Sequence, residues 1–298
     1  AKCDLVSLMV GEFPELEGEM GRTYALAQGV SPDVAEVIRE HYQPKGAQDA
    51  TPKSDAGALV SIADRLDTIV GCFAIGLTPT GATDPYGLRR ACIGILRVMF
   101  DRGFDLRLSD AIRATYDGYG GVTLDLGPAE LVDKLGDFFT ERLRGLLADK
   151  LPQDAVAASL AVAFERPIDA RSRATALAQL DPATRARVGE VFKRATNIAE
   201  SAPAGEPVAP RAEDHASEHA VYNGYTKLRE SLVELRRAGD YSAALREVAG
   251  FAPLLHQYFL DVFVMTDDIP VRENRLRLMR AISEMCSTIA RFDLLGER

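Results

Sequence analysis

Two sets of side chains in this sequence have the types and spacing to do chemistry. His41, Asp64 and Asp67 offer an imidazole and two carboxylates, the donors a divalent cation uses. The stretch "DVFVMTDDIPVRENRLRLM" (261–279) sets Asp267 and Asp268 beside Arg272, Arg275 and Arg277, with Arg280 just beyond. A carboxylate pair there would be a metal site. Guanidinium groups would instead address phosphate and base edges.

The metal chemistry is under-supplied in both places. A hard cation needs several converging ligands to replace its water, and His41, Asp64 and Asp67 are too few. Asp64 and Asp67 stand at i and i+3 beside Arg65, a spacing that also fits a solvated helix surface. Asp267 and Asp268 precede Pro270, which suits them to capping the next helix. The arginines have two readings. Exposed arginines paired with Glu273 or Glu284 are ordinary and contribute little; splayed RNA bases are also met by such groups. "FKRATNIA" adds Lys193, Arg194 and Asn197 on another helix. "DHASEH" places His215 and His219 four apart beside a Pro-rich stretch and reads as a solvated helix start. His256, among apolar neighbours, reads as a core histidine, and "GYGG" lacks the Lys-Ser/Thr of a phosphate-binding loop.

The elements that must position these groups are helices. Apolar residues recur at three and four positions almost throughout, and period-two alternation is nearly absent, so the fold class is all-α. Ser31-Pro32 and Asp181-Pro182 are helix starts, and Gly127-Pro128 opens a helix with Leu131, Leu135, Phe138, Phe139, Leu143, Leu146 and Leu147 on one broad face. Leu276, Met279, Ile282, Cys286 and Ile289 form the stripe of the last helix. Glycines in "YDGYGGVTLDLGP" (116–128) mark a domain junction, giving domains over 1–126 and 127–298, and "SAPAGEPVAPRA" (201–212) reads as an exposed loop within the second.

Composition excludes several classes of function. The 298 residues carry 44 acidic and 35 basic side chains, a net charge of −9, so nucleic acid must be met by a local basic patch. Residues 1–127 hold 12 basic and 18 acidic groups (−6) and the rest 23 and 26 (−3), which favours the later part as the RNA binder. Four dispersed cysteines show no Cys-x-x-Cys pairing and read as core residues of a cytoplasmic protein. Apolar runs are too short for a membrane span. The opening "AKCDLVSLMV" reads as the interior of a longer polypeptide.

Two resemblances are carried by motifs. "ELEGEMGRTYALAQGVSPDVAEVIREHYQ" followed by "SDAGALVSIADRLDTIVG" resembles an HD-type metal phosphohydrolase, with His41 and Asp64 at two motif positions. That family's His-Asp doublet belongs near "DLVSLMVGEF", where no histidine stands. The broader resemblance rests on "LVSLMVGEFPELEGEMGRTYA", "EHYQP", "ADRLDTIVGCFAIGLTPTGATDPYGLRRA" and "NRLRLM", and covers essentially the whole chain. Together these are similar to the C-terminal part of the beta subunit of bacterial glycyl-tRNA synthetase.

That resemblance implies an N-terminally truncated HD-like helical domain followed by a DALR-type anticodon-binding helical bundle. It implies binding of the glycine tRNA, with no DNA or membrane partner, and assembly with the alpha subunit as alpha2beta2. The alpha subunit would make glycyl-adenylate. ATP and Mg2+ would serve the assembled enzyme, with no cofactor, metal or catalytic residue on this chain. His41 and Asp64 would be vestigial. Arg89, Arg90, Lys193, Arg194, Asn197, Arg272, Asn274 and Arg275 would be the candidates for RNA contact. The rival is an HD-type metal-dependent nucleotide phosphohydrolase, and the blandest alternative a helical scaffold for protein contacts.

Overall fold

The computed structural model describes residues 1–46, 48–80 and 83–296. Among them there are helices and turns and no strand, as the three-and-four periodicity predicts. The chain divides into two compact units, residues 1–146 with 165–168 and residues 147–164 with 169–298.

The first unit contains α1 (Leu8–Glu12), α2 (Glu19–Ala27), α3 (Pro32–Glu40), α4 (Asp55–Ala74), α5 (Leu88–Arg102), α6 (Leu108–Asp117) and nearly all of α7 (Pro128–Ala148). Ser31 caps α3 by accepting from the Val34 amide, with Pro32 in the first turn. Ile62, Leu66, Ile69, Val70 and Phe73 of α4 are buried, as are Cys92, Ile95, Leu96 and Met99 of α5, the helix that packs on it. Phe138 of α7 meets Phe73 edge-on at 4.9 Å between ring centroids. Of the face expected on α7, all but half-buried Leu146 are buried.

The domain junction differs from the one expected at 126/127. The glycine-rich stretch is a turn inside the first unit. The Tyr119 hydroxyl donates to the Asp67 carbonyl at 2.8 Å, and the amides of Asp125 and Leu126 both donate to Ala74 O. Glycines break the helix there so that α7 can return onto α4. Periodicity registers the break without saying whether the chain turns back or leaves.

The second unit contains α8 (Gln153–Ala163), most of α9 (Pro167–Gln179), α10 (Pro182–Ala199), α11 (Ala216–Ala238), α12 (Tyr241–Asp261) and α13 (Ile269–Ser287). Asp181 and Asp268 cap α10 and α13, each accepting from the amide three residues on. Gly239, at φ 70, ends α11 in the left-handed conformation glycine adopts freely, and α12 packs back on α11. All five stripe residues of the last helix are buried. They join Val188 and Phe192 of α10 and Tyr225, Leu228 and Leu232 of α11 in one core.

Two smaller expectations fail. His256 is exposed, because α12 turns it away from the core that takes Leu255 and Tyr258. Cys3 is exposed and Cys72 half-buried; only Cys92 and Cys286 are core residues, and all four are free thiols. No helix is long and apolar enough to cross a membrane among the described residues.

Candidate nucleic-acid interface

His41 and Asp64 both meet Lys2, and their ligating atoms are already occupied. His41 caps the end of α3 and is wholly buried. Its Nδ1 lies 2.7 Å from the Ile38 carbonyl, and its Nε2 accepts the Lys2 amide at 3.2 Å. That pattern holds the ring neutral, a donor on one side and an acceptor on the other. Asp64 receives the Lys2 ammonium at 2.9 Å. An ammonium therefore sits on the carboxylate that a metal would need. Among the described residues no group of three or more His, Cys, Asp and Glu side chains gathers as a metal site.

Burial pulls the His41 pKa below its ordinary value, against the raising influences of the Ile38 carbonyl and Asp64. The unfolded chain titrates near pH ~6.5, so the folded state takes up its proton later as the pH falls. The stabilisation is full above that value and is lost as pH drops towards the depressed one, by up to about 1.4 kcal/mol per pH unit. Urea unfolding followed between about pH 8 and pH 5 will show this loss, and His41→Gln will flatten it. An unchanged pH profile in the variant would remove His41 as its source.

Arg65, between the two motif aspartates, is not a solvated flank. Its guanidinium donates to the carbonyls of His41 at 3.0 Å, Tyr42 at 2.9 Å and Pro44 at 2.9 Å, and also to Ser61. The "ADRL" arginine thus clamps the segment after α3 onto α4. Glu40, 1% exposed, complements it by accepting from the amides of Lys53 and Ser54 at 2.9 and 3.1 Å just ahead of α4.

The arginines of α13 are mostly engaged within the fold. Arg275 forms a two-pronged ion pair with Glu218 of α11, Nε to Oε2 at 3.0 Å, and donates to the Phe263 carbonyl at 2.8 Å. Its side chain is 14% exposed and that of Glu218 6%. Asn274 exchanges two hydrogen bonds with the backbone of Val208, at 2.8 and 3.0 Å. Arg277 and Arg280 donate to the carbonyls of Ala204 and Gly205. Arg272 donates to the Thr266 carbonyl at 3.3 Å.

Asn274 and Arg275 are thus engaged within the fold. They fasten the 201–212 loop and α11 to α13, because half-buried guanidinium and amide groups take the nearest unpaired carbonyls and carboxylates. Asp268 is the helix cap its position implied. His215 likewise caps α11, and His219 Nε2 meets the Arg211 carbonyl at 3.0 Å.

The other candidates stand on surfaces. Lys193, Arg194 and Asn197 are exposed on α10, and the Arg194 guanidinium lies 4.4 Å from the centre of the Phe259 ring. A cation over the face of an aromatic ring is attracted to it. Asp84 accepts from the amides of Leu88 and Arg89 at 2.8 and 2.9 Å, setting the first turn of α5 so that Arg90 is exposed and Arg89 half-exposed. Gly81 and Ala82 of that motif lie outside the described residues.

Comparison with known proteins decides the family. Residues 1–161 match the family model for the glycyl-tRNA synthetase beta subunit. The chain belongs to that family. Residues 183–296 match the DALR anticodon binding domain, which places that model over α10 to α13. The chain is 41% identical over 297 residues to the glycine–tRNA ligase beta subunit of Anaeromyxobacter dehalogenans, covering 98% of this chain and 42% of that protein. It is 40% identical over 299 residues to the Geobacter sp. (strain M21) beta subunit, covering 99% and 43%. The chain therefore spans about two fifths of the length of these relatives.

Sequence reasoning named no partner for Glu218. Glu218 had a readable signal, since it shares the buried stripe of α11 with Val221, Tyr225, Leu228 and Leu232. A carboxylate on such a stripe must find a partner.

Proposed function

We propose that this chain is the tRNA-binding portion of a glycyl-tRNA synthetase beta subunit, positioning the glycine tRNA for ATP-dependent glycylation by the alpha subunit in the cytoplasm. The observation that carries this reading is the DALR anticodon-binding match over the helical bundle that exposes Lys193, Arg194 and Asn197. With a net charge of −9, such local basic strips must supply the attraction for phosphate. Arg89 and Arg90 are a second strip, on the first unit. ATP and Mg2+ belong to the assembled alpha2beta2 enzyme in this reading, and the chemistry to the alpha subunit.

The test is binding without charging. The isolated chain should bind the glycine tRNA in preference to other tRNAs, measured by gel shift, and show no glycine-dependent pyrophosphate exchange. Its affinity should fall steeply with salt, and Lys193→Ala should flatten the log-log slope by about 0.7 to 0.9, the share of one phosphate contact. A chain that binds no tRNA at any salt, or one that activates glycine unaided, defeats the reading.

A further inference from the structure

The loop that follows α10 has little of its own to hold it. Residues 201–212 contain Pro203, Gly205, Pro207 and Pro210, which disfavour any regular element. Between Pro203 and Pro210 the backbone hydrogen bonds run to side chains of α13 and, among the described residues, to no other element. Ala202 packs on the core where the loop begins, but Val208 further along is 63% exposed. A segment fixed by polar contacts at the surface, with few buried apolar ones, opens at low cost.

Three side chains of α13 form the latch. They stand at 274, 277 and 280, a spacing that sets neighbours along one side of a helix. Asn274 exchanges its two bonds with Val208, Arg277 donates through Nε to the Ala204 carbonyl at 3.1 Å, and Arg280 donates to the Gly205 carbonyl at 2.6 Å. Each guanidinium also has an acid one turn away, Glu273 at 3.0 Å and Glu284 at 3.7 Å, in partly exposed pairs of small worth. What the loop sets against the two cations is therefore a pair of neutral carbonyl oxygens. A phosphate takes a guanidinium through two parallel bonds and with full charge, so it is the stronger partner. Gly205 sits at φ 117, where an L side chain is strained, and the docked shape depends on glycine there.

Docked in this way, the loop closes one end of the cleft between α11 and α13 with Gly205 and Glu206, and its exposed carboxylate lines the same cleft as Arg280. We propose that residues 201–212 are a strap that masks Arg277 and Arg280 in the free chain and is released when RNA binds, the two guanidiniums passing from loop carbonyls to phosphate. The inference rests on the tRNA-binding reading above and adds an autoinhibitory contact to it. Part of the binding free energy goes into opening the strap, so the affinity measured is lower than that of the open form.

The experiment follows hydrogen exchange at the amides between residues 204 and 209 in the full chain, with and without the glycine tRNA, together with tRNA affinity at one fixed salt concentration. Exchange in the loop should speed up on binding, the opposite of what a ligand does to amides it covers. Two variants loosen the strap and leave both arginines in place. Asn274→Ala removes the bonds to Val208, and Gly205→Ala puts a Cβ on the strained backbone, 3.3 Å from Arg277 Nε. Each should raise loop exchange in the free chain and tighten tRNA binding by about 2- to 10-fold, the share of one or two net hydrogen bonds. Gly205→Ala alters no α13 side chain, and supplies the affinity test if Asn274→Ala melts early. Loop exchange slowed or unchanged by tRNA overturns the strap, as does tRNA affinity left unchanged or weakened in a variant that melts like wild type. Those results leave the tRNA-binding reading intact, whereas a wild-type chain that binds no tRNA overturns both.

Discussion

Arg275→Ala will destabilise the second unit by about 3–5 kcal/mol, the cost of leaving one partner of a buried ion pair without the other. Arg275 and Glu218 are joined by two hydrogen bonds, and the side chain left behind in Arg275→Ala would be a carboxylate that is 6% exposed. The Phe263 carbonyl loses its donor in the same change. Glu218→Ala should cost a similar amount, whereas replacing both residues by leucine should recover most of the loss, since apolar packing can replace such a pair. Asp268→Ala is the comparison on the same helix. It removes one cap bond, from the Val271 amide, and should cost only about 0.5–2 kcal/mol. Denaturant unfolding of the four variants, paired with tRNA affinity, decides the matter. An Arg275→Ala protein that melts like wild type but no longer binds tRNA would return this arginine to the RNA surface.

The second large effect is expected at Arg65. Arg65→Ala removes the donor for three carbonyls on the segment between α3 and α4, and should destabilise the first unit by about 3 kcal/mol or more. Hydrogen bonds from a charged group are worth roughly 1.5–3 kcal/mol each, and several are lost together. Arg65→Lys should recover only part of this, because one ammonium cannot span acceptors that a guanidinium fork reaches in a single plane. The unfolding transition should weaken while the tRNA binding proposed for the chain stays near wild type. Equal stability of the lysine variant and wild type would mean that charge alone, not the fork, holds the segment.

These residues also show how much of the site lay in the sequence. Arginines in "NRLRLM" and "ADRL" are visible as motif members, and their charge suggests a working surface. Whether a guanidinium faces RNA or a carbonyl depends on what lies within 3 Å of it. For Arg275 that is a glutamate 57 residues away, and for Asn274 a backbone 66 residues away. Arg194 remains exposed, with the Phe259 ring beside it.

What the sequence by itself determined is local. The helical class, the caps at Ser31, Asp181 and Asp268, and the buried stripe of the last helix all follow from interactions within about a turn, which amino-acid order specifies directly. The family, too, was legible in its motifs, because those are runs of neighbouring residues. The tertiary structure decided the rest. It placed the Lys2 ammonium on Asp64, turned the glycine-rich break back onto α4, and drew the 201–212 loop down onto α13. Each of these is a meeting of groups far apart along the chain. Their partners are chosen by the packing of whole helices, and no local pattern encodes that choice.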